Sequence, residues 1–136
     1  MKHWHEYIKR SYELIIEAEG KTSIILTEDI EYYIVRLVAK WFDHNDVPPD
    51  TPIAILLMNA MQEKNSLKMA ETAEACLFYD SFKIKQNRWP STTYYRDMGS
   101  MAYGMAYVVS NDVLYNKLEE NFSICSKIIS TTKLIH

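Results

Sequence analysis

Three glycines and four prolines are all that punctuate a chain of 136 residues. An all-β sandwich or barrel needs a turn every ~8–12 residues and draws on Gly, Pro and Asn-Gly pairs to make them, so that class is excluded. The two cysteines, Cys76 and Cys125, have no CxxC spacing and sit among apolar neighbours. That rules out a disulfide scaffold and points to buried thiols in a reducing compartment, although the sequence leaves a bond between them open. No apolar run approaches the ~20 residues of a membrane span. An excess of positive charge is missing as well: 15 Lys and Arg stand against 18 Asp and Glu, net −3. Phosphate neutralisation needs the opposite balance, which argues against a general nucleic-acid binder. The opening Met1-Lys2-His3-Trp4-His5-Glu6 has neither the apolar stretch nor the cleavage site of a secretory signal, so the expected location is cytoplasmic.

What is present is a chain 48% hydrophobic and 12% aromatic, with no internal repeat and no linker, which reads as a single domain over residues 1–136. Hydrophobic spacing is helical almost throughout. A first helix is predicted over Trp4–Glu19, ended by Gly20 in the left-handed position, and Ser23–Leu26 follows as a short apolar connector. The second is capped by Thr27, acidic in its first turn, and striped by Ile30, Ile34, Leu37, Val38 and Trp41. The third opens at Thr51-Pro52 and buries Ile53, Leu56, Leu57 and Met61; the fourth runs from Ser66 to about Phe82 with Leu67, Ala70, Ala73, Cys76 and Leu77 inward. Pro90 forces a break before a fifth, through about Val109. The sixth starts after Asn111 or Asp112 and uses Val113, Leu114, Leu118, Phe122, Cys125 and Ile129. The expected architecture is all-α, a compact bundle of about six helices.

Two features stand out from this plain background. Residues 83–96 hold Lys83, Lys85, Arg88 and Arg96 with no acid, and Trp89 among them, whereas the first fifty residues are net −4. The fifth helix contains Gly99 and Gly104, each costing about 1 kcal/mol relative to Ala inside a helix, so close packing or a bound ligand must offset them. Met98, Met101 and Met105 share one flank of that helix, and Tyr103 and Tyr107 stack one turn apart. Methionine adapts its shape to a partner and fills cores equally well. Ten tyrosines are many for this length, and the doublets Tyr32-Tyr33 and Tyr94-Tyr95 need hydrogen-bond partners if buried; Arg36, Asp80, Arg96 and Asp97 are the candidates.

Motifs for chemistry are missing. There is no Glu-x-x-His on any helix, no Gly-x-Ser-x-Gly, no P-loop and no dinucleotide fingerprint. His3 is third from the amino end, a pattern for square-planar Cu(II) or Ni(II), and His44 lies among Asp43, Asp46 and Asp50, but neither has the spacing of a built site and no metal or cofactor is expected. The second and third helices are no helix-turn-helix, because the third contains no Lys or Arg.

Three segments, Glu31-Tyr32-Tyr33-Ile34-Val35-Arg36-Leu37-Val38, Ala75-Cys76-Leu77-Phe78-Tyr79-Asp80-Ser81-Phe82 and Tyr94-Tyr95-Arg96-Asp97-Met98-Gly99-Ser100-Met101-Ala102-Tyr103, resemble an uncharacterised family of small all-helical bacterial proteins over roughly residues 28–107. In the second segment that family reads closer to Leu-Phe-x-Ser-Gly-Phe-Phe, from which Asp80-Ser81-Phe82 departs. The resemblance implies a bacterial source and a helical domain, and carries no activity.

The functional expectation is therefore a non-enzymatic interaction or adaptor module, its partner a protein or a second copy of the chain. Its surface would be Met98, Met101, Tyr103, Met105 and Tyr107, rimmed by Lys83, Lys85, Arg88 and Trp89. The alternative is a small-molecule or enzymatic pocket lined by Tyr32, Tyr33, Arg36, Tyr94, Tyr95, Arg96 and Asp97. An anion or nucleic-acid contact through residues 83–96 comes third.

Overall fold

The computed structural model describes residues 3–43, 48, 50–82 and 93–134. Among them it forms seven helices and no strand: α1 (Trp4–Thr22), α2 (Glu28–Trp41), α3 (Ile53–Gln62), α4 (Ser66–Phe82), α5 (Tyr94–Ser110), α6 (Val113–Glu120) and α7 (Phe122–Thr131). The all-α class is the one that the hydrophobic spacing predicts, with seven helices in place of six. The extra break is at Asn121. Its backbone N–H and its side-chain Nδ2 both donate to the Lys117 carbonyl, at 3.0 and 2.8 Å. A side chain that competes for a backbone acceptor ends the helix it belongs to. The Asn121 carbonyl then accepts from the Cys125 N–H at 2.9 Å and α7 begins. No helix among the described residues is long and apolar enough to cross a membrane.

The contacts of the chain fall into two compact units. One comprises Met1–Val47 with Lys127–His136, the other Pro48–Ser126. In the first, α1 packs on α2, and all five residues of the α2 stripe are buried. Gly20 does not end α1. The helix continues to Thr22 and turns at Ser23, the residue with positive φ (60°). The Thr22 hydroxyl makes this turn without glycine: it donates to the Ala18 carbonyl at 2.9 Å and accepts from the Ile24 N–H at 3.3 Å. The buried Glu19 carboxylate then accepts from the Leu26 N–H at 2.8 Å, so an acid within α1 holds the connector that leads into α2.

In the second unit α4 is the hub, with α3 and α5 packed on it. Every residue from Ala75 to Ser81 is buried, which is why this helix is barely amphipathic. Against it α5 buries Tyr95, Gly99, Ala102, Tyr103 and Ala106. Asp112 caps α6, its Oδ1 accepting from the Leu114 N–H at 3.0 Å. Three residues placed inward by spacing face outward instead: Met61, Leu67 and Val113 are exposed, whereas Ala60 and Met69 take the inward positions on α3 and α4. A helix that is apolar on every side gives periodicity nothing to select between, and α3, with no charged residue from Ile53 to Gln62, is such a helix. It starts at Ile53, with Pro52 rather than Thr51 in the capping position.

Candidate functional site

The small residues of α5 are used within the second unit. A Cβ on Gly99 would run into the Phe122 ring of α7 and approach the Cys76 Cβ of α4 to 2.9 Å. A Cβ on Gly104 would meet the Glu119 carboxylate of α6. Ala102 and Ala106, on the same side as Gly99, are fully buried. Close approach of neighbouring helices thus accounts for both glycines, and this face is closed to a partner.

The flank of α5 beside this face is different. At 100° per residue, Met98, Met101, Met105, Val108 and Val109 occupy one sector that borders the buried face, with Met98 and Met105 half-buried. Met101 and Val109 are nearly half exposed and Val108 is 75% exposed. Of the residues expected on the interaction surface, Met101 is exposed, Met98, Met105 and Tyr107 are half-buried and Tyr103 is not accessible. Tyr103 is fully buried, its ring 6.3 Å from Tyr115 and 6.1 Å from Phe122, and Tyr107 lies on its side of the helix. Tyr103 therefore cannot form part of an exposed surface. Spacing by one turn groups Tyr103 with Tyr107 correctly; it does not say which side of the helix faces water.

Met105 links this flank to α3 and α4, packing on a small cluster of Ala60, Met69 and Ala106 together with Tyr115. On the side of α3 away from this cluster Ile55, Met58 and Met61 are exposed, and Leu67 at the start of α4 is 63% exposed. None of these four belongs to the surface expected from sequence. The signal for them was the absence of charge in α3, which leaves its outer side as apolar as its inner one. Lys83, Lys85, Arg88 and Trp89, the expected rim, lie outside the described residues.

The Tyr, Arg and Asp residues of the alternative pocket divide between the units. Tyr32, Tyr33 and Arg36 belong to the first. Tyr32 is 60% exposed and its phenol oxygen accepts from Arg36 Nη1 at 3.1 Å. The same guanidinium sits 5.6 Å from the Tyr32 ring and 5.8 Å from that of Trp4, an exposed cation–π group. Tyr94, Tyr95, Arg96 and Asp97 belong to the second unit. The Tyr95 ring lies 5.1 Å from Tyr79 and 5.2 Å from Tyr94, and burial raises the pKa of Tyr79 and Tyr94. Asp97 is exposed and accepts from the Thr93 hydroxyl at 3.1 Å.

Asp80 makes the one buried polar centre here. It is fully enclosed; its Oδ2 accepts from the Ser126 hydroxyl at 2.6 Å, and Ser126 in turn accepts from Ser81 at 3.4 Å. Arg96 Nε stands 3.5 Å from Oδ2, an ion pair without a hydrogen bond. Asp80 Oδ1 and Arg96 Nε have no hydrogen-bond partner and expose less than 1 Å² each. Both atoms lie out of reach of solvent between α4, α5 and α7. Cys76, one turn before Asp80, has its thiol pushed far up by burial and by the Asp80 charge, and burial alone takes Cys125 up to about 12. Both are free thiols, and neither is a nucleophile in this state.

No protein-family model, curated protein or solved structure matches this chain. Function rests on its own residues.

Among the described residues no three His, Cys, Asp or Glu side chains converge on a metal position. His3 pairs with Glu6 at 3.5 Å, and His44 and Asp46 lie outside the described residues. The outward face of α1 borders an open depression of about 430 Å³, lined by Glu6, Lys9, Arg10, Glu13, Leu14 and Glu17. Three carboxylates and two cations share its lining.

Proposed function

We propose that the chain is a non-enzymatic protein-interaction module that binds through the apolar outer side of its second unit. The side chains we assign to it are Met101 and Val108 of α5 with the half-buried Met98 and Met105, and Ile55, Met58 and Met61 of α3 with Leu67 of α4. The observation that carries the reading is that α3 has a second apolar face, opposite its buried one, with no charged residue to keep it in water. Burying each such half-exposed side chain contributes on the order of 1 kcal/mol. Methionine suits the task because it reshapes to its partner. The simplest partner is a second copy of the chain, since an uncharged face repels nothing in its own likeness. We read the protein as cytoplasmic, in keeping with its two free thiols, and as bacterial from the resemblance of residues 28–107.

Sedimentation of the wild-type chain beside Met58→Glu and Met101→Glu tests this. Association that both substitutions abolish, at unchanged helicity and melting temperature, supports the reading. A wild-type monomer whose Met58 and Met101 environments are unaltered at the highest attainable concentration removes self-association, and with it the simplest form of the proposal.

The pocket reading has the unpartnered Asp80 Oδ1 and Arg96 Nε in its favour. Their closure from solvent weighs more, and the interaction reading is preferred.

A further inference from the structure

Sulfur in this chain is sorted by depth. Met69 is 3% exposed and packs with Ala60 and Ala106, and both cysteines are buried. Met98 and Met105 are half-buried. Met58, Met61 and Met101 expose 52, 48 and 45% of their surfaces. Met58 and Met61 follow Ile55 at intervals of three on the outer side of α3, a helix without a charged residue, and Met101 shares a flank of α5 with Val108. A thioether carries no proton whose loss would tune its reactivity, so access decides which methionine an oxidant reaches first. A thiol reacts as its thiolate, and burial holds Cys76 and Cys125 protonated.

We propose that Met58, Met61 and Met101 are an oxidation site for peroxides, and that their sulfoxides turn the exposed apolar sides of α3 and α5 polar. The sulfur lone pair attacks one peroxide oxygen; an S–O bond forms and the O–O bond breaks. The departing oxygen takes up the proton of the attacked one and leaves as water or an alcohol. Sulfur is oxidised by two electrons and the peroxide is reduced by two. All three side chains already stand in water, so no helix has to open for the step. Met69 and the two thiols are spared by their depth, and the core survives the change. The product matters because a thioether is buried without a hydrogen bond, whereas a sulfoxide oxygen needs one. Here the inference rests on the interaction reading: a partner's apolar surface would leave the sulfoxides unpaired, so the oxidised chain stays single. Sulfoxide reductases reverse the step, so the same surface can be restored.

The test treats the dilute full chain with hydrogen peroxide and follows each methionine by peptide mass spectrometry. Catalase then removes the peroxide, and the product is concentrated and sedimented. Met58, Met61 and Met101 should each gain one oxygen at least about tenfold faster than Met69, whose reaction waits for local opening. Helicity should be unchanged and association lost, and a methionine sulfoxide reductase should restore it. A chain with Met58→Leu, Met61→Leu and Met101→Leu keeps the apolar surface without its sulfur, so its association should be indifferent to peroxide. Reaction of Met69, Cys76 or Cys125 as fast as the exposed three overturns the proposal. So does association that persists with all three oxidised, a result that leaves the interaction reading intact. A chain that oxidises in the expected order but never associates, before or after peroxide, removes the interaction reading and leaves the oxidation site in place.

Discussion

The two units treat their outer surfaces in opposite ways. In the first, charge and cation–π contacts run along the helices, with Glu17 beside Lys21, Arg36 over Trp4 and Tyr32, and Arg10 over Phe42 at 5.7 Å, and the exposed apolar side chains Tyr12, Ile16 and Ile25 lie scattered along α1 and the connector. In the second, α3 and α5 turn methionine, isoleucine and valine to the outside. Ionisable groups beneath the surface differ too. The first unit holds the buried Glu19, whose carboxylate accepts from the Leu26 N–H, and the second holds Asp80, whose partners are the Ser126 hydroxyl and an arginine. One unit thereby buries its acid against a backbone N–H and the other against a hydroxyl and a cation, although both are built from helices.

Substitutions can break or sharpen this contrast. The largest effect is expected from Tyr103→Ala, which empties the centre of the second unit; large buried aromatics replaced by alanine cost about 3–5 kcal/mol, readable in denaturant unfolding. Gly99→Ala comes next at roughly 1–3 kcal/mol, because neither the Phe122 ring nor the Cys76 Cβ can swing aside. Its companion Gly104→Ala meets only the end of the flexible Glu119 side chain, so the cost should fall below that of Gly99→Ala, offset by the better helix propensity of alanine. A reversal of that order would mean that α5 packs otherwise than described. Removing the α6 cap with Asp112→Ala should cost about 1 kcal/mol.

Acid and base should separate the units without any substitution. A carboxyl whose pKa is raised on folding binds its proton more tightly in the native state. Glu31 is such a group, raised from 4.5 to about 7 by burial and by the negative charges of Glu19 and Glu28. Its contribution to stability is therefore complete below pH 4.5 and lost as pH rises to about 7. Amide exchange of α1 and α2 should show this loss, and Glu31→Gln should remove it. The smallest stability change, within about 0.5 kcal/mol, is expected from Met58→Glu and Met101→Glu, whose side chains are already half in water. For these two, an altered oligomeric state at an unaltered melting temperature is the informative result.

Helix positions were legible because the stripe of α2 and the Asp112 cap leave strong local marks; Thr27 also marks the start of α2, although its hydroxyl donates to Asp29 and caps no backbone N–H. Orientation was less so. Leu67, Met61 and Val113 are apolar and exposed, against the rule that spacing relies on, and Tyr103 was assigned to the surface although it is the largest fully buried side chain. Nor could the chain reveal that Ser23 would take the left-handed turn left vacant by Gly20, since that depends on the Thr22 hydroxyl finding both of its partners. The glycines were the better guide: two in one helix required a close neighbour, and Phe122, Cys76 and Glu119 supply it.

Cys76 and Cys125 have a practical consequence. Both thiols are enclosed within the second unit and held in their unreactive protonated form by that enclosure. A thiol reagent should therefore modify them only when α4 or α7 opens, at a rate set by the opening and not by the reagent. The chain carries its own pair of chemical timers, one on α4 and one on α7.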